Sequence, residues 1–177
     1  AHRVQARLGW DTPSSMQVRL SDVLSVDTIL LRSAWPDFRA CVDGMLGALV
    51  TVDRLPAEQL RPAGKLVCER EEIASTAMVD IGVSIPHARF AGVDGITAAL
   101  AACPQGVYDH GLGLPIEIVV LVLTSPALTT EHLRFLASLS ELLQSERTRR
   151  AIVQAASAQQ VLALIAEQER GGVRAAG

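Results

Sequence analysis

From residue 38 onward, apolar side chains recur at helical intervals, with Phe38, Cys41, Val42, Met45, Leu46, Leu49 and Val52 on one face. The spacing predicts a helix running to about Arg54. Its start is marked by Trp35-Pro36-Asp37, where proline suits a first helical position and an acid follows. Pro56 breaks it, and two shorter helices split by Pro62 are expected next. Ahead of it, residues 28–31 read as a short strand. Farther on the period changes. Residues 96–103 read as a strand ended by Pro104-Gln105-Gly106, and 115–123 are almost unbroken apolar, as in a central strand buried on both faces. Ser125-Pro126 stops that run. Helical spacing then returns in Leu133, Leu136, Leu139, Leu142 and Leu143, behind a cap at Thr129 or Thr130. Ser145 opens a second helix through Ile152 and Val153. Ser157 with Gln160 caps a third, carrying Val161, Leu162, Leu164 and Ile165, which Gly171-Gly172 is expected to end.

Strands interleaved with helices imply an α/β or α+β fold in which helices cover a sheet. One domain is expected over residues 16–168. Residues 1–15, with Thr12-Pro13-Ser14-Ser15 as loop chemistry, read as a flexible leader or linker, and 169–177 as a C-terminal tail.

Composition narrows the function. Of 177 residues 49% are hydrophobic, but only three Phe, two Trp and one Tyr occur, so the core is aliphatic. Few aromatics and a net charge of −3 supply neither the stacking platforms nor the basic footprint of a nucleic-acid binder. Cys41, Cys68 and Cys103 are odd in number and widely spaced, which fits neither a disulfide framework nor a CxxC metal pair, and points to a reducing cytoplasm. The longest apolar run, 116–123, is interrupted by Glu117 and far short of a bilayer span, so no membrane insertion is expected. The N-terminus lacks the apolar region of a signal peptide.

Histidine is the scarce residue that carries chemistry: His2, His87, His110 and His132. His87 follows an apolar, strand-like run that Pro86 is expected to stop. The imidazole then emerges at a strand end with Arg89 two residues on, a nucleophile beside a cation; the alternative is an ordinary loop histidine. His132 falls in the first turn of the Leu-rich helix, where free N–H groups attract anions and disfavour an imidazolium. A surface role is the alternative there. His110 lies in a turn-like stretch with Tyr108, Asp109, Gly111 and Gly113. No two histidines pair at i, i+4, and no HExxH, Walker A or GxGxxG pattern occurs, so no metal site is expected. Glu69-Arg70-Glu71-Glu72 reads either as a solvated helix end or as Arg70 held by acids for a phosphoryl group.

Together, Glu69-Arg70-Glu71, Ser75-Thr76 and Gly82-Val83-Ser84-Ile85-Pro86-His87-Ala88-Arg89 resemble the signature of the fructose/mannitol-type (type 2) enzyme IIA domain. That family belongs to the bacterial phosphoenolpyruvate-dependent sugar phosphotransferase system and includes a nitrogen-regulatory branch. Gly113-Leu114-Pro115-Ile116 and Glu131-His132-Leu133 continue the likeness, which spans about residues 16–168. Between Thr76 and His87 this chain is one residue longer than the usual T-G-I-G-N-G-I-A-I-P-H. The resemblance implies a mixed central β-sheet flanked by helices on both faces. It also implies His87 as the phosphorylated residue, through Nε2, His132 as the second active-site histidine, Arg70 as the phosphate-facing arginine and Thr76 as a hydroxyl lining the pocket. No cofactor or metal is implied.

The leading reading is a cytoplasmic phosphocarrier that accepts a phosphoryl group from a phosphorylated HPr-type carrier protein and passes it to a IIB partner in carbohydrate uptake. An apolar patch ringed by polar groups is expected around His87 for docking. The second reading is a stand-alone switch of the nitrogen-regulatory kind, acting on other proteins through its phosphorylation state. A third is a non-phosphorylated protein-binding module of the same fold.

Overall fold

A computed structural model describes residues 17–107 and 115–175. The elements follow in the order α1 (Leu20–Val23), β1 (Ile29–Leu31), α2 (Phe38–Thr51), α3 (Leu60–Ile73), β2 (Ala77–Met78), β3 (Val83–Ser84), β4 (His87–Arg89), β5 (Ile96–Ala102), β6 (Ile118–Thr124), α4 (Thr129–Gln144), α5 (Glu146–Gln154) and α6 (Ala158–Ala175). The sheet is mixed, ordered β1-β5-β6-β3-β2, with β4 on the same edge of β6 as β3. β5 and β6 pair antiparallel along their whole lengths, and β1, β3 and β4 join them in parallel.

Every residue of β5 and β6 is buried, which for β6 is what its almost unbroken apolar run predicts. Successive side chains of a strand point to opposite faces. Leu100, Ile118, Val120 and Val122 accordingly pack with Leu20, Phe135, Leu139, Ile152, Val161 and Ile165 on one face, under α1 and α4–α6. Ala99, Ala101, Val119, Leu121 and Leu123 pack with Met45, Leu46, Leu49 and Val67 of α2 and α3 on the other. The sheet is therefore flanked by helices on both faces, in a single domain.

Several boundaries differ from the sequence-based expectation, each for a local reason. Asp37 is itself the N-cap of α2, accepting from Ala40 N at 2.8 Å, and Pro36 lies outside the helix. α2 ends at Thr51, ahead of the expected Arg54, and Asp53 just beyond it takes φ 58°. Pro62 does not split a helix. It occupies the first turn of α3, where its missing N–H has no intrahelical partner to lose. Leu128, rather than a threonine, precedes α4, and Thr129 is the first helical residue. α6 continues through Gly171 and Gly172. The buried row of α4 is His132, Phe135, Leu139 and Leu143, while Leu133, expected in the apolar stripe, is 63% exposed. The leader at 1–15, His110, Gly113 and Leu114 lie outside the described residues.

Candidate phosphoryl-transfer site

The strand that carries His87 is one strand in two pieces. β3 and β4 keep a constant register along β6, from Val83 opposite Ile118 to Arg89 opposite Thr124. Pro86 interrupts the ladder because it has no N–H to give, yet its carbonyl still accepts from Val122 N at 3.0 Å. The strand thus resumes after the proline instead of ending there, and His87 opens its second piece. Upstream, β2 and β3 form a short antiparallel hairpin over the stretch with the extra residue. Its turn ends on Gly82 at φ 67°, where a Cβ would lie 3.0 Å from the Pro115 carbonyl oxygen.

Strand alternation aims the histidine. Ala88 is buried against the α2–α3 face, so its neighbours His87 and Arg89 project toward the face covered by α4. The His87 Nδ1 lies 2.7 Å from the Ile85 carbonyl oxygen. A carbonyl only accepts, so Nδ1 carries the proton and Nε2 keeps its lone pair. Arg89 Nη1 donates to Thr129 Oγ1 at 2.8 Å, tying this strand to the first turn of α4.

His132 sits in that turn on the buried row, 7% exposed, with Nδ1 2.8 Å from Thr124 Oγ1 at the end of β6. Its ring centroid is 5.5 Å from that of His87, with the planes tilted by 54°. Burial, reinforced by electrostatic coupling to His87 and by the nearby charges of Arg89 and Arg70, holds the His132 pKa below the ordinary imidazole value. A neutral ring is the result at neutral pH. The surface alternative for His132 is therefore not what the fold builds.

Arg70 is exposed on the last turn of α3, and its charge reaches His132. It is not held by the neighbouring acids: Glu69 pairs with Lys65 at 3.7 Å, and Glu71 turns inward. Thr76 directs its hydroxyl to Glu71 Oε2 at 2.9 Å and lies 3.1 Å from Ser84 Oγ. The structure thus brings His87 and His132 together within the charge of Arg70 and Arg89, whereas Thr76 is engaged with Glu71 and Ser84. Arg89 and Glu71 were visible in the sequence beside His87 and Arg70. What the fold adds is the tertiary bond of Arg89 to Thr129 and the burial of Glu71. The two large exposed apolar side chains among the described residues, Ile73 at 86% and Leu133 at 63%, follow Arg70 and His132 closely in the chain.

Residues 57–168 match the family described as Phosphoenolpyruvate-dependent sugar phosphotransferase system, EIIA 2. The chain belongs to this enzyme IIA family. It is 25% identical over 154 residues to the fructose-specific EIIABC component of Bacillus subtilis, covering 86% of this chain and 24% of that protein. It is 34% identical over 100 residues to the fructose-specific EIIA component of Haloferax volcanii, covering 56% and 64%. The chain thus spans less than two thirds of either relative. Among solved structures, the nitrogen regulatory protein IIA-Ntr from Neisseria meningitidis superposes with a TM-score of 0.69 at 23% identity, over 82% of this chain and 97% of that one. The IIA of mannitol from Escherichia coli, in a complex with phosphorylated IIB, gives 0.66 at 17%, over 81% and 97%. At these identities the likeness is one of fold. No helix among the described residues of this IIA chain is long and apolar enough to cross a membrane.

Proposed function

We propose that this IIA chain is a phosphocarrier that takes a phosphoryl group onto His87 Nε2 from a phosphorylated HPr-type carrier and passes it to a IIB partner in the cytoplasm. The observation that carries the reading is the His87–His132 pair. One ring has Nδ1 fixed on a carbonyl and Nε2 without a hydrogen bond among the described residues, and its centroid lies 5.5 Å from that of a second ring that burial keeps neutral. In the transfer, the Nε2 lone pair attacks phosphorus as the donor's P–N bond breaks, and the leaving imidazole keeps that electron pair. The Nδ1 proton stays on the ring, hydrogen-bonded to the Ile85 carbonyl. Catalysis of such a step is mainly positioning and charge stabilisation. Arg70 and Arg89 supply the charge, and the Arg89 guanidinium keeps N–H groups beyond the one given to Thr129. Leu133 and Ile73, close in the chain to His132 and Arg70, are exposed apolar side chains of the kind a docking protein would cover.

Incubation with phosphorylated HPr and mass-spectrometric site mapping tests the proposal. The wild type is expected to gain one phosphoryl group on His87, and His87→Ala to gain none. A label that persists in His87→Ala sinks it. Similarity to curated nitrogen regulatory proteins, at 25% and 27% identity, supports a second reading, a switch whose phosphorylation state controls other proteins. Onward transfer to a IIB acceptor favours the transport role; a labelled His87 that gives its group to no IIB favours the switch.

A further inference from the structure

We propose that Glu71 is a positioning residue of this site, its buried carboxylate accepting the hydrogen bond of the Thr76 hydroxyl and locking the segment that joins Arg70 to the His87 strand. The inference rests on His87 being the phosphoryl acceptor.

Glu71 is only 8% exposed, although it stands between the exposed Arg70 and Glu72 on the last turn of α3. A buried carboxylate requires hydrogen-bond donors, and it has them. Oε1 accepts from Ser75 Oγ at 3.1 Å and from Thr76 N at 2.9 Å, and Oε2 accepts from Thr76 Oγ1 at 2.9 Å. An ionised carboxylate only accepts, so the single Thr76 hydroxyl proton is committed to Glu71. Thr76 Oγ1 also lies 3.1 Å from Ser84 Oγ, and with its own proton spent it is the acceptor there. The hydroxyls therefore run in one direction, from Ser84 to Thr76 to Glu71.

Two consequences follow for transfer. Thr76 has no proton left for a phosphoryl oxygen, so the phosphate-lining role expected of it passes to Arg70, Arg89 and His132. Ser84 is fully buried in β3 beside Ile85, whose carbonyl holds His87 Nδ1. Glu71 thus links the helix end that carries Arg70 to the strand that aims His87.

The test uses the full chain, phosphorylated HPr as donor, and the initial rate of His87 labelling. Glu71→Gln keeps the shape but turns an N–H donor toward Thr76 Oγ1, reversing the relay. We expect it to slow labelling about tenfold, on the scale of a sub-ångström misplacement. Thr76→Val is expected to slow labelling comparably, Thr76→Ser to recover most of that loss, and the double variant Glu71→Gln/Thr76→Val to be no slower than the slower single one. The His87 ring ¹⁵N resonances of the unphosphorylated Thr76→Val protein are expected to move, a readout that remains even if Glu71→Gln does not fold. Losses that multiply in the double variant, or unmoved His87 resonances, overturn the proposal, because a threonine acting on the phosphoryl group alone gives both. A wild type unlabelled at His87 defeats the reading of the site itself; a labelled wild type matched in rate by Glu71→Gln defeats only the role of Glu71.

Discussion

His132 gains its chemical character from where α4 turns it. An imidazole in water takes up a proton near pH 6.5, whereas burial, coupling to His87 and the charges of Arg89 and Arg70 lower that value in the folded chain. Between the lowered folded pKa and about 6.5, the unfolded chain binds more protons, so this residue makes stability fall as pH drops through that interval. Above about pH 7 neither state is protonated and the contribution is constant. Urea unfolding of wild type and His132→Gln at several pH values between 5 and 8 should therefore diverge only on the acid side, the variant losing less stability on acidification. Parallel pH profiles would contradict this account of the site. His87 shows the complementary case: its tautomer is set by one backbone carbonyl two residues away. That bond is local, but nothing in Ile85-Pro86-His87 says that a second ring lies across from it.

At the scale of elements, punctuation residues carry meanings that depend on their position. Gly82 adopts φ 67° with the Pro115 carbonyl oxygen 3.0 Å from where its Cβ would be, so the β2–β3 turn requires glycine. Gly171 lies inside α6, where an added Cβ would meet nothing within 4 Å. Gly82→Ala should cost roughly 1–3 kcal/mol, whereas Gly171→Ala should gain about 0.5–1 kcal/mol as a helix interior loses its most flexible residue. Chemical denaturation of the two variants checks the opposite signs, and a shared sign refutes the contrast between the two positions. The same dependence explains the boundary differences. Pro62 and Pro86 read alike as breakers in sequence, yet one opens a helix and the other interrupts a ladder that β6 carries past it. Strand β6 was legible because its pattern is saturated, every position being buried.

Among the described residues, the central pair of strands divides two cores, one under α1 and α4–α6 and one under α2 and α3. Leu121, at 0% exposure, points into the α2–α3 core, and truncating it to alanine should cost about 2–5 kcal/mol, since the surrounding helices close a cavity there incompletely. Unfolding in urea measures this; a loss under about 1 kcal/mol would mean that this face is loosely packed.

Fold class, the β6 core strand, the His87 motif and the aliphatic nature of the core were all legible in the chain, because they depend on periodicity and on residues adjacent in sequence. The resemblance placed His132 in the His87 site and its helix position disfavoured an imidazolium, but the 5.5 Å approach and tilt of the two rings, burial as the main cause of the lowered His132 pKa, the Arg89–Thr129 link and the inward turn of Glu71 were not legible. Each joins groups through the register of a strand or the rotation of a helix. An exposed Leu133 beside a buried His132 shows why: one residue along a helix is about a quarter turn, and only the packing of α4 on the sheet decides which of the two faces inward.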